Sequence, residues 1–224
     1  MERIDTLKYN DLKIVQDDKK FCFGIDALLL SDFARDSVKR NSLVLDLCTG
    51  NGILPLMFSH TNAKKIYGIE IQKPIFEMAE KSISLNNLNE KISLVHGDIK
   101  NITSFFSRNF FDIVTCNPPY MKKTTGKISY NEEKAIARTE IECNLEDVVK
   151  AVSFVMKDKG KFFMIHRPER LAEIILMLDK YKMTVKKLKV VYPSVDKEAC
   201  MILLEARKNA CSDLKLLKPE IVYE

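Results

Sequence analysis

The residues Asn117-Pro118-Pro119-Tyr120 form the motif with the most direct chemical meaning in this sequence. They follow an apolar run, so we expect them at the end of a strand. Two consecutive prolines fix φ and remove two N–H donors, which leaves the Pro118 carbonyl as a second acceptor beside the Asn117 side-chain oxygen. Two acceptors can hold one planar amine, and the Tyr120 ring offers a surface for stacking. The motif predicts a site that holds an exocyclic NH₂ toward an electrophilic methyl group, with Asn117, Pro118 and Tyr120 as catalytic residues.

An ordinary Asn-Pro turn after a strand is the alternative interpretation of these residues. The upstream sequence favours the chemical one, because V-L-D-L-C-T-G-N-G-I-L-P at 44–55 predicts a strand, a glycine loop and a helix. Gly50 and Gly52 allow a tight turn and a close approach of the backbone to a ligand. Asp46 is expected near the end of that strand, at the edge where open α/β sheets bind ligands.

Two further acidic residues are expected where the next strands end. Glu70 follows Gly52 by 18 residues, a spacing at which an acid accepts hydrogen bonds from ribose hydroxyls, and Asp98 is placed to accept the amino group of an adenine. Three acids at consecutive strand ends predict a nucleoside site. Pro55 stands where the NAD fingerprint has its third glycine, and a carboxylate beside the loop disfavours a pyrophosphate. Asp46 favours a ligand with a cationic end, such as a sulfonium with an amino-acid tail.

Alternating strands and helices must position these residues. A short hairpin is expected over 6–16 and a helix over 26–35. Strands are then predicted at 43–47, 66–71, 92–95, 111–116 and 161–165, and helices at 53–60, 74–85, 145–156 and 168–181. This alternation predicts an α/β fold with a parallel sheet. The final strands, 183–192 and 199–206, have no helix between them and predict an antiparallel edge, and we expect one domain over 1–224.

The basic residues are concentrated in the C-terminal third of the chain. The net charge is +5, and residues 157–208 hold 13 basic and seven acidic side chains. Such a surplus is typical of a surface that faces nucleic acid, although a solvated lysine-rich face has the same composition. The six cysteines lack zinc-ligand spacing, so no metal is expected. Without a signal-like or membrane-length apolar segment, the sequence predicts a cytoplasmic protein that contacts no membrane, and we expect a monomer.

The order of these motifs resembles that of the class I S-adenosylmethionine-dependent amino-methyltransferases, over about residues 20–205. The run F-C-F-G-I-D-A-L-L-L at 21–30 makes the chain most similar to the bacterial tRNA1(Val) (adenine-37-N6)-methyltransferase family. Three closing features agree with this subgroup: Tyr192-Pro193, Ala199-Cys200 and Leu203-Leu204-Glu205. The resemblance implies a Rossmann-like three-layer sandwich, with a mostly parallel seven-stranded sheet, an antiparallel edge strand and a short N-terminal hairpin. Cys48 departs from the class, in which many members have the first loop glycine at this place.

The resemblance implies S-adenosyl-L-methionine as the cofactor. Asp46, Gly50 and Gly52 would line its methionine end. Glu70 would bind the ribose hydroxyls, and Asp98 the adenine amine. Phe23 and Asp26 would cover the cofactor from the other side. The implied cofactor-binding residues are Phe23, Asp26, Asp46, Gly50, Gly52, Glu70, Asp98 and Asn117.

The same resemblance implies methyl transfer to the exocyclic N6 of an adenine in RNA, at position 37 of a tRNA. Asn117 and Pro118 would hold the amine, and Tyr120 would stack on the flipped base beside Pro119. An adenine in an anticodon loop costs less to unstack than one in a helix. The predicted substrate-binding residues are Pro119, Tyr120, Lys122, Lys123, Lys127, Arg167, Arg170, Lys186, Lys187 and Lys189.

Three alternatives remain at this point. A protein glutamine N5-methyltransferase would use the same Asn-Pro-Pro-Tyr motif, but those enzymes carry a long helical substrate domain and only about twenty residues precede Phe21 here. A DNA adenine methyltransferase needs a target-recognition region for which 224 residues leave little room. A non-catalytic nucleotide-binding module would not need the amine-holding residues Asn117 and Tyr120.

Overall fold

The structure is a computed structural model that describes residues 2–7, 11–118, 143–211 and 213–223. Its strands are β1 Glu2–Thr6, β2 Lys13–Asp17, β3 Leu43–Leu47, β4 Lys65–Glu70, β5 Ile92–His96, β6 Phe111–Cys116, β7 Met156–His166, β8 Met183–Tyr192, β9 Met201–Lys208, β10 Lys215–Leu216 and β11 Glu220–Ile221. Its α-helices are α1 Ile25–Arg35, α2 Ile53–Phe58, α3 Lys73–Leu85, α4 Leu145–Val155 and α5 Leu171–Lys180.

The central sheet has the strand order β10-β8-β9-β7-β6-β3-β4-β5, and β11 also pairs with β8. Neighbouring strands from β5 through β7 run parallel, because helical connections bring the chain back to the same end of the sheet before each new strand. β1 and β2 form a separate antiparallel hairpin. The predicted α/β class, the mostly parallel sheet and the N-terminal hairpin are therefore confirmed.

The antiparallel strand differs in position from the prediction. The two closing strands were expected to form an antiparallel edge, but β9 lies between β7 and β8 and pairs antiparallel with both. The α5 connection places β8 one strand-width beyond β7, and the returning chain fills that gap. Insertion buries Leu203 and Leu204, which an edge position would leave more open. The outer side of β8 instead pairs with β10 and β11, so the sheet has nine strands among the described residues, where seven were expected.

Two hydrophobic clusters cover opposite faces of the sheet. Leu45 and Leu47 belong to the cluster formed with α4 and α5, whereas Val44 belongs to the cluster formed with α1 and α2. Successive strand residues point to opposite faces, so Asp46 shares the α1 face with Val44. Full burial of one large aliphatic side chain stabilises the fold by about 1.5 to 3 kcal/mol, and these clusters hold the strand ends rigidly. No helix among the described residues is long and apolar enough to cross a bilayer.

The N-terminal hairpin docks on α3 through hydrogen bonds as well as apolar contacts. The Val15 N–H donates to Ser82 Oγ at 2.9 Å, and the Lys13 N–H donates to Asn86 Oδ1 at 2.9 Å. Asn51 Nδ2, in the glycine loop, donates to the Val15 carbonyl at 3.2 Å. The hairpin therefore carries the segment that enters α1 to the edge of the sheet where the predicted site lies.

Candidate functional site

The ends of the parallel strands bring the predicted residues to one edge of the sheet. Asp46 lies near the end of β3, Glu70 ends β4, Asp98 follows β5 and Asn117 follows β6. Parallel strands have their carboxyl ends at the same edge. Backbone hydrogen bonds tie these ends together, since the Thr49 N–H donates to the Ile69 carbonyl at 3.0 Å and the Gly97 N–H to the Glu70 carbonyl at 2.9 Å.

The loop after β3 adopts the backbone that a glycine-rich loop requires. Gly50 and Gly52 have φ values of 58° and 83°, and Cys48 has a φ of 56°. Cys48 thus keeps the left-handed geometry of the glycine that it replaces, with the strain expected of a side chain in that region. A Cβ on Gly50 would lie 2.9 Å from the Phe21 ring. The absence of a side chain at Gly50 therefore lets the loop and Phe21 pack together.

Glu70 fastens the glycine loop to the end of β4. Its Oε2 accepts the Gly50 N–H at 2.9 Å, and its Oε1 accepts the Gln72 N–H at 2.9 Å. The carboxylate is buried, and this burial raises the pKa of Glu70. Each oxygen keeps lone-pair capacity for a further donor, so a ribose hydroxyl can still bind here.

Asp46 is buried more completely than a residue expected to line a ligand. It is 1% exposed, and its two oxygens accept the hydroxyls of Thr49 at 2.7 Å and Thr115 at 2.6 Å. Burial, together with the nearby charge of Glu70, raises the pKa of Asp46 to about 7. Two neighbouring buried carboxylates favour a cationic ligand, because a positive charge stabilises their ionised form.

Replacing Asp46 with Asn should make the unliganded protein more stable at pH 8 than the wild type, with little difference near pH 4. The raised pKa means that wild-type stability is fully present below about pH 4 and is lost as the pH rises through about 7. Asn carries no charge, so it avoids that loss, which linkage sets at no more than about 4 kcal/mol.

Melting temperatures measured by circular dichroism at pH 4, 5, 6, 7 and 8 test this expectation. His166 is present in both proteins, so the difference between their melting temperatures reports on Asp46 and on its electrostatic coupling to Glu70. A difference between the two melting temperatures that stays constant with pH would contradict a raised pKa of Asp46.

Asp98 lies beyond β5 and caps a short 3₁₀ helix, Ile99–Ser104. Its Oδ1 accepts the Lys100 N–H at 2.8 Å, and its Oδ2 lies 3.3 Å from Lys100 Nζ. The side chain is 22% exposed. It is therefore more accessible than Asp46 or Glu70, as a contact to the base of a nucleoside requires.

Asn117 contacts a residue of α1. Its Nδ2 donates to Asp26 Oδ2 at 3.1 Å. Phe23, half-buried beside α1, is held by its N–H, which donates to Gln16 Oε1 at 3.1 Å. Asp26 therefore contacts the predicted catalytic residue, whereas the hydrogen bond of Phe23 is to the N-terminal hairpin.

Five of the predicted substrate-binding residues lie outside the described part of the chain. They are Pro119, Tyr120, Lys122, Lys123 and Lys127. Their assignments stay predictions. Pro118 is described and buried, directly after Asn117.

The predicted RNA-binding lysines of β8 are each engaged in an ion pair. Lys186 pairs with Asp213, Lys187 lies 2.8 Å from Glu205, and Lys189 lies 2.9 Å from Glu220. They project from the middle of β8, whereas the site lies where the strands end. The structure does not bring these three lysines to the candidate site.

The two predicted arginines lie beyond the end of β7, close to the site edge. Arg167 is exposed, and its Nη1 donates to the Cys200 carbonyl at 3.3 Å. Arg170 is buried, and its guanidinium donates two hydrogen bonds to Glu173, at 2.7 and 2.8 Å. Arg167 is therefore the better placed of the two to meet a phosphate.

Sequence reasoning missed several residues at this edge. Thr49 and Thr115 hold Asp46, and their hydroxyls flank the two motifs in L-C-T-G and V-T-C-N-P, which is the signal that could have identified them. His166 ends β7, and because Met164 pairs with Cys116, it lies level with Pro118. Burial lowers the pKa of His166 to about 4, so its ring is neutral at pH 7.

Among the described residues, no group of three His, Cys, Asp or Glu side chains is arranged to hold a metal ion. The thiols of Cys48, Cys116 and Cys143 interact with one another, and all three belong to or pack against the cluster under α4. Burial raises the pKa of the Cys116 thiol, which disfavours a thiolate nucleophile at this position.

A family model described as the TRM5/TYW2 methyltransferase domain matches residues 31–136. A tRNA1(Val) (adenine(37)-N6)-methyltransferase of Porphyromonas gingivalis is 24% identical over 208 residues, covering 91% of this chain and 81% of that protein. The chain is thus similar to the Porphyromonas gingivalis protein over most of its length, and to the family model over 31–136. The resemblance stated from the sequence is confirmed, and so is the predicted enzyme class.

Solved structures agree on the fold. A protein of Agrobacterium tumefaciens described as a predicted O-methyltransferase has a TM-score of 0.68 at 21% identity, covering 88% of this chain and 86% of that one. The Methanocaldococcus jannaschii Trm5 in complex with adenosine has a TM-score of 0.67 at 20% identity, covering 94% of this chain and 57% of that one. The architecture is the class I methyltransferase fold, as the resemblance implied.

Proposed function

We propose that this protein transfers a methyl group from S-adenosyl-L-methionine to the exocyclic N6 of an adenine in RNA, at position 37 of a tRNA. The observation that carries the proposal is the placement of Asn117. It follows β6 directly before Pro118, at the same edge as the buried carboxylates of Asp46 and Glu70. The residue proposed to hold the amine therefore lies at the edge proposed to bind the nucleoside.

The described residues fit S-adenosyl-L-methionine. Asp46 accepts hydrogen bonds from hydroxyls and Glu70 accepts them from backbone amides. None of these partners carries a charge, so the negative charge of both carboxylates can still attract a positively charged ligand. Glu70 would bind the ribose hydroxyls and Asp98 the adenine amine, while Gly50 and Gly52 would border the methionine end. When bound, the cofactor supplies an electrophilic methyl group.

Asn117 and Pro118 act on the target amine. The lone pair of an adenine amine is delocalised into the ring, which makes the amine a weak nucleophile. Hydrogen bonds from its two hydrogens to the Asn117 side-chain oxygen and the Pro118 carbonyl localise that lone pair and favour the transition state. Holding the amine in one orientation removes a further part of the barrier.

The RNA must present an unstacked base to this edge. A loop adenine leaves its stack at a lower cost than a helical one, and Tyr120 with Pro119 would pack on it. Phosphates on either side of the base would meet Arg167, which lies beyond β7 at the same edge. The lysines at 122, 123 and 127 follow the motif directly in sequence and belong to the same proposal.

Labelled S-adenosyl-L-methionine, incubated with the protein and with tRNA, ribosomal RNA or release-factor protein in parallel, tests the proposal. We expect N6-methyladenosine in one tRNA after nuclease digestion and mass spectrometry. Native tRNA from a strain lacking the activity and unmodified transcript are compared, because a prior modification can be required. Label confined to protein glutamine, or no label on any acceptor, would contradict the proposal.

Replacing Arg167 with Ala should weaken tRNA binding several-fold and flatten its salt dependence. Loss of one phosphate contact lowers the slope of log K against log salt by about 0.7 to 1. Fluorescence anisotropy with labelled tRNA between 50 and 200 mM salt measures the affinity and its salt slope.

Lys189→Ala is the matched comparison, because Lys189 is paired with Glu220. We expect its salt slope to equal that of the wild type. If Lys189→Ala flattened the slope and Arg167→Ala did not, the β8 surface would be the RNA contact instead.

A further inference from the structure

The contact between Asp26 and Asn117 joins two residues that lie 91 positions apart in the sequence. Asp26 stands in the first turn of α1, and Asn117 follows β6. Asn117 Nδ2 donates to Asp26 Oδ2 at 3.1 Å. An ionised carboxylate accepts hydrogen bonds and donates none, so only the nitrogen end of the Asn117 amide is compatible with this contact.

Fixing the nitrogen end also fixes the oxygen end, because the amide is planar. With Nδ2 on Asp26, the Asn117 Oδ1 is the amide atom that does not face the carboxylate. A flipped amide would bring Oδ1 against the Asp26 carboxylate and would offer NH₂ to the substrate amine, so both contacts would be repulsive. Oδ1 is turned away from the Asp26 carboxylate in one of the two amide orientations only.

We propose that Asp26 is the positioning residue that orients the Asn117 amide so that Oδ1 accepts the hydrogen bond of the substrate amine. The role rests on the proposed function, since it concerns the same site. It replaces the cofactor contact that the resemblance implied for Asp26. The charge of Asp26 also polarises the Asn117 amide and makes Oδ1 a stronger acceptor.

Asp26 is itself held on a rigid element. Its Oδ1 accepts the Ala27 N–H at 3.0 Å, and an acid in the first turn of a helix is stabilised by the helix dipole. Ala27 and Leu30 of the same helix are buried in the core. The Asp26 carboxylate also occupies the space beside Gly24, since a Cβ on Gly24 would lie 2.6 Å from Asp26 Oδ1. α1 therefore fixes the position of the Asp26 carboxylate, and the carboxylate fixes the orientation of the Asn117 amide.

Replacing Asp26 with Ala distinguishes a role in positioning Asn117 from a direct contact with the cofactor. For a positioning residue, kcat for the wild-type acceptor falls by about 10- to 100-fold, the equivalent of one hydrogen bond to a charged group, while the Kd for S-adenosyl-L-methionine measured by calorimetry changes less than about twofold. A rise in that Kd with an unchanged kcat would overturn the inference and restore the cofactor contact. Gly24→Ala displaces the carboxylate without removing it, and we expect a smaller fall in kcat.

A double-mutant cycle shows whether Asp26 acts through Asn117. In an Asn117→Ala background, Asp26→Ala should cause no further loss of kcat, and full additivity would overturn the proposal. The exchanged pair gives a rescue test. Asn117→Asp alone brings two carboxylates together, whereas Asn117→Asp with Asp26→Asn restores one donor and one acceptor. We expect the double variant to exceed the single variant at least tenfold in kcat, and equal rates would count against the inference.

A spectroscopic measurement tests this inference without knowledge of which molecule receives the methyl group. The side-chain NH₂ signals of Asn117 in a ¹⁵N-labelled protein are identified by their loss in Asn117→Ala. Asp26→Ala should shift them and speed their exchange with water, whereas Gln16→Ala, near Phe23, should not. If the wild-type protein methylated no RNA, the proposed function would fail while this result still decided the contact. Unchanged Asn117 signals in Asp26→Ala would refute the positioning role.

Discussion

Replacing Asn117 with Ala should slow methyl transfer by about 10²- to 10³-fold, the usual effect of removing one preorganised group that stabilises a transition state. The Pro118 carbonyl then remains as the one acceptor for the amine. The lone pair stays delocalised into the adenine ring, and the amine loses its fixed orientation. The Kd for S-adenosyl-L-methionine should change little, because the ribose and adenine contacts lie on other strands.

Single-turnover kinetics with saturating cofactor measure this loss without interference from product release. Asn62→Ala is the matched control, because Asn62 is exposed and precedes β4, at the opposite edge of the sheet. We expect wild-type rates from it. Near-normal turnover by Asn117→Ala would show that the amine is held by other groups, and the catalytic proposal would have to be abandoned.

Replacing Glu70 with Ala should raise the Kd for S-adenosyl-L-methionine by about 100-fold or more, since each hydrogen bond to a charged acceptor contributes about 1.5 to 3 kcal/mol. Two effects combine. The ribose loses its carboxylate, and the glycine loop loses the contact from Gly50 to β4. The rate at saturating cofactor should fall much less than the affinity.

Calorimetric titration of the cofactor tests this expectation, with melting temperature as the check on folding. Glu70→Gln refines it, because Gln has one acceptor oxygen and can serve only one of the Gly50 and Gln72 amides. Glu77→Ala, an exposed acid on α3, is the control for charge. An unchanged Kd in Glu70→Ala would contradict the assignment of the ribose to Glu70, and an unchanged Kd in Asp98→Ala as well would contradict the whole set of cofactor assignments.

Local patterns in the sequence determined the elements and the identity of the motifs. The predicted strand 111–116 coincides with β6, and 43–47 coincides with β3. Apolar runs, glycines and prolines act over a few residues, so their effects are visible without the rest of the chain. The strand-end position of Asp46, Glu70 and Asn117 followed from the same rules, because carboxyl ends of parallel strands share one edge.

Tertiary structure alone decided which residues contact one another. No local pattern shows that β9 inserts between β7 and β8, because strand order depends on how connections pack across the whole sheet. The pairing of Lys189 with Glu220 and the burial of Asp46 under two threonine hydroxyls likewise depend on distant segments.

The sequence by itself determined an α/β methyltransferase fold, and it predicted an amine-holding motif beside a nucleoside site. The tertiary structure decided how that motif is oriented, since Asp26 reaches Asn117 only when α1 packs against the sheet. The physical reason is the distance along the chain over which each effect acts. Backbone propensity and side-chain periodicity are properties of neighbouring residues, whereas the orientation of an amide depends on whichever charged group the fold places beside it.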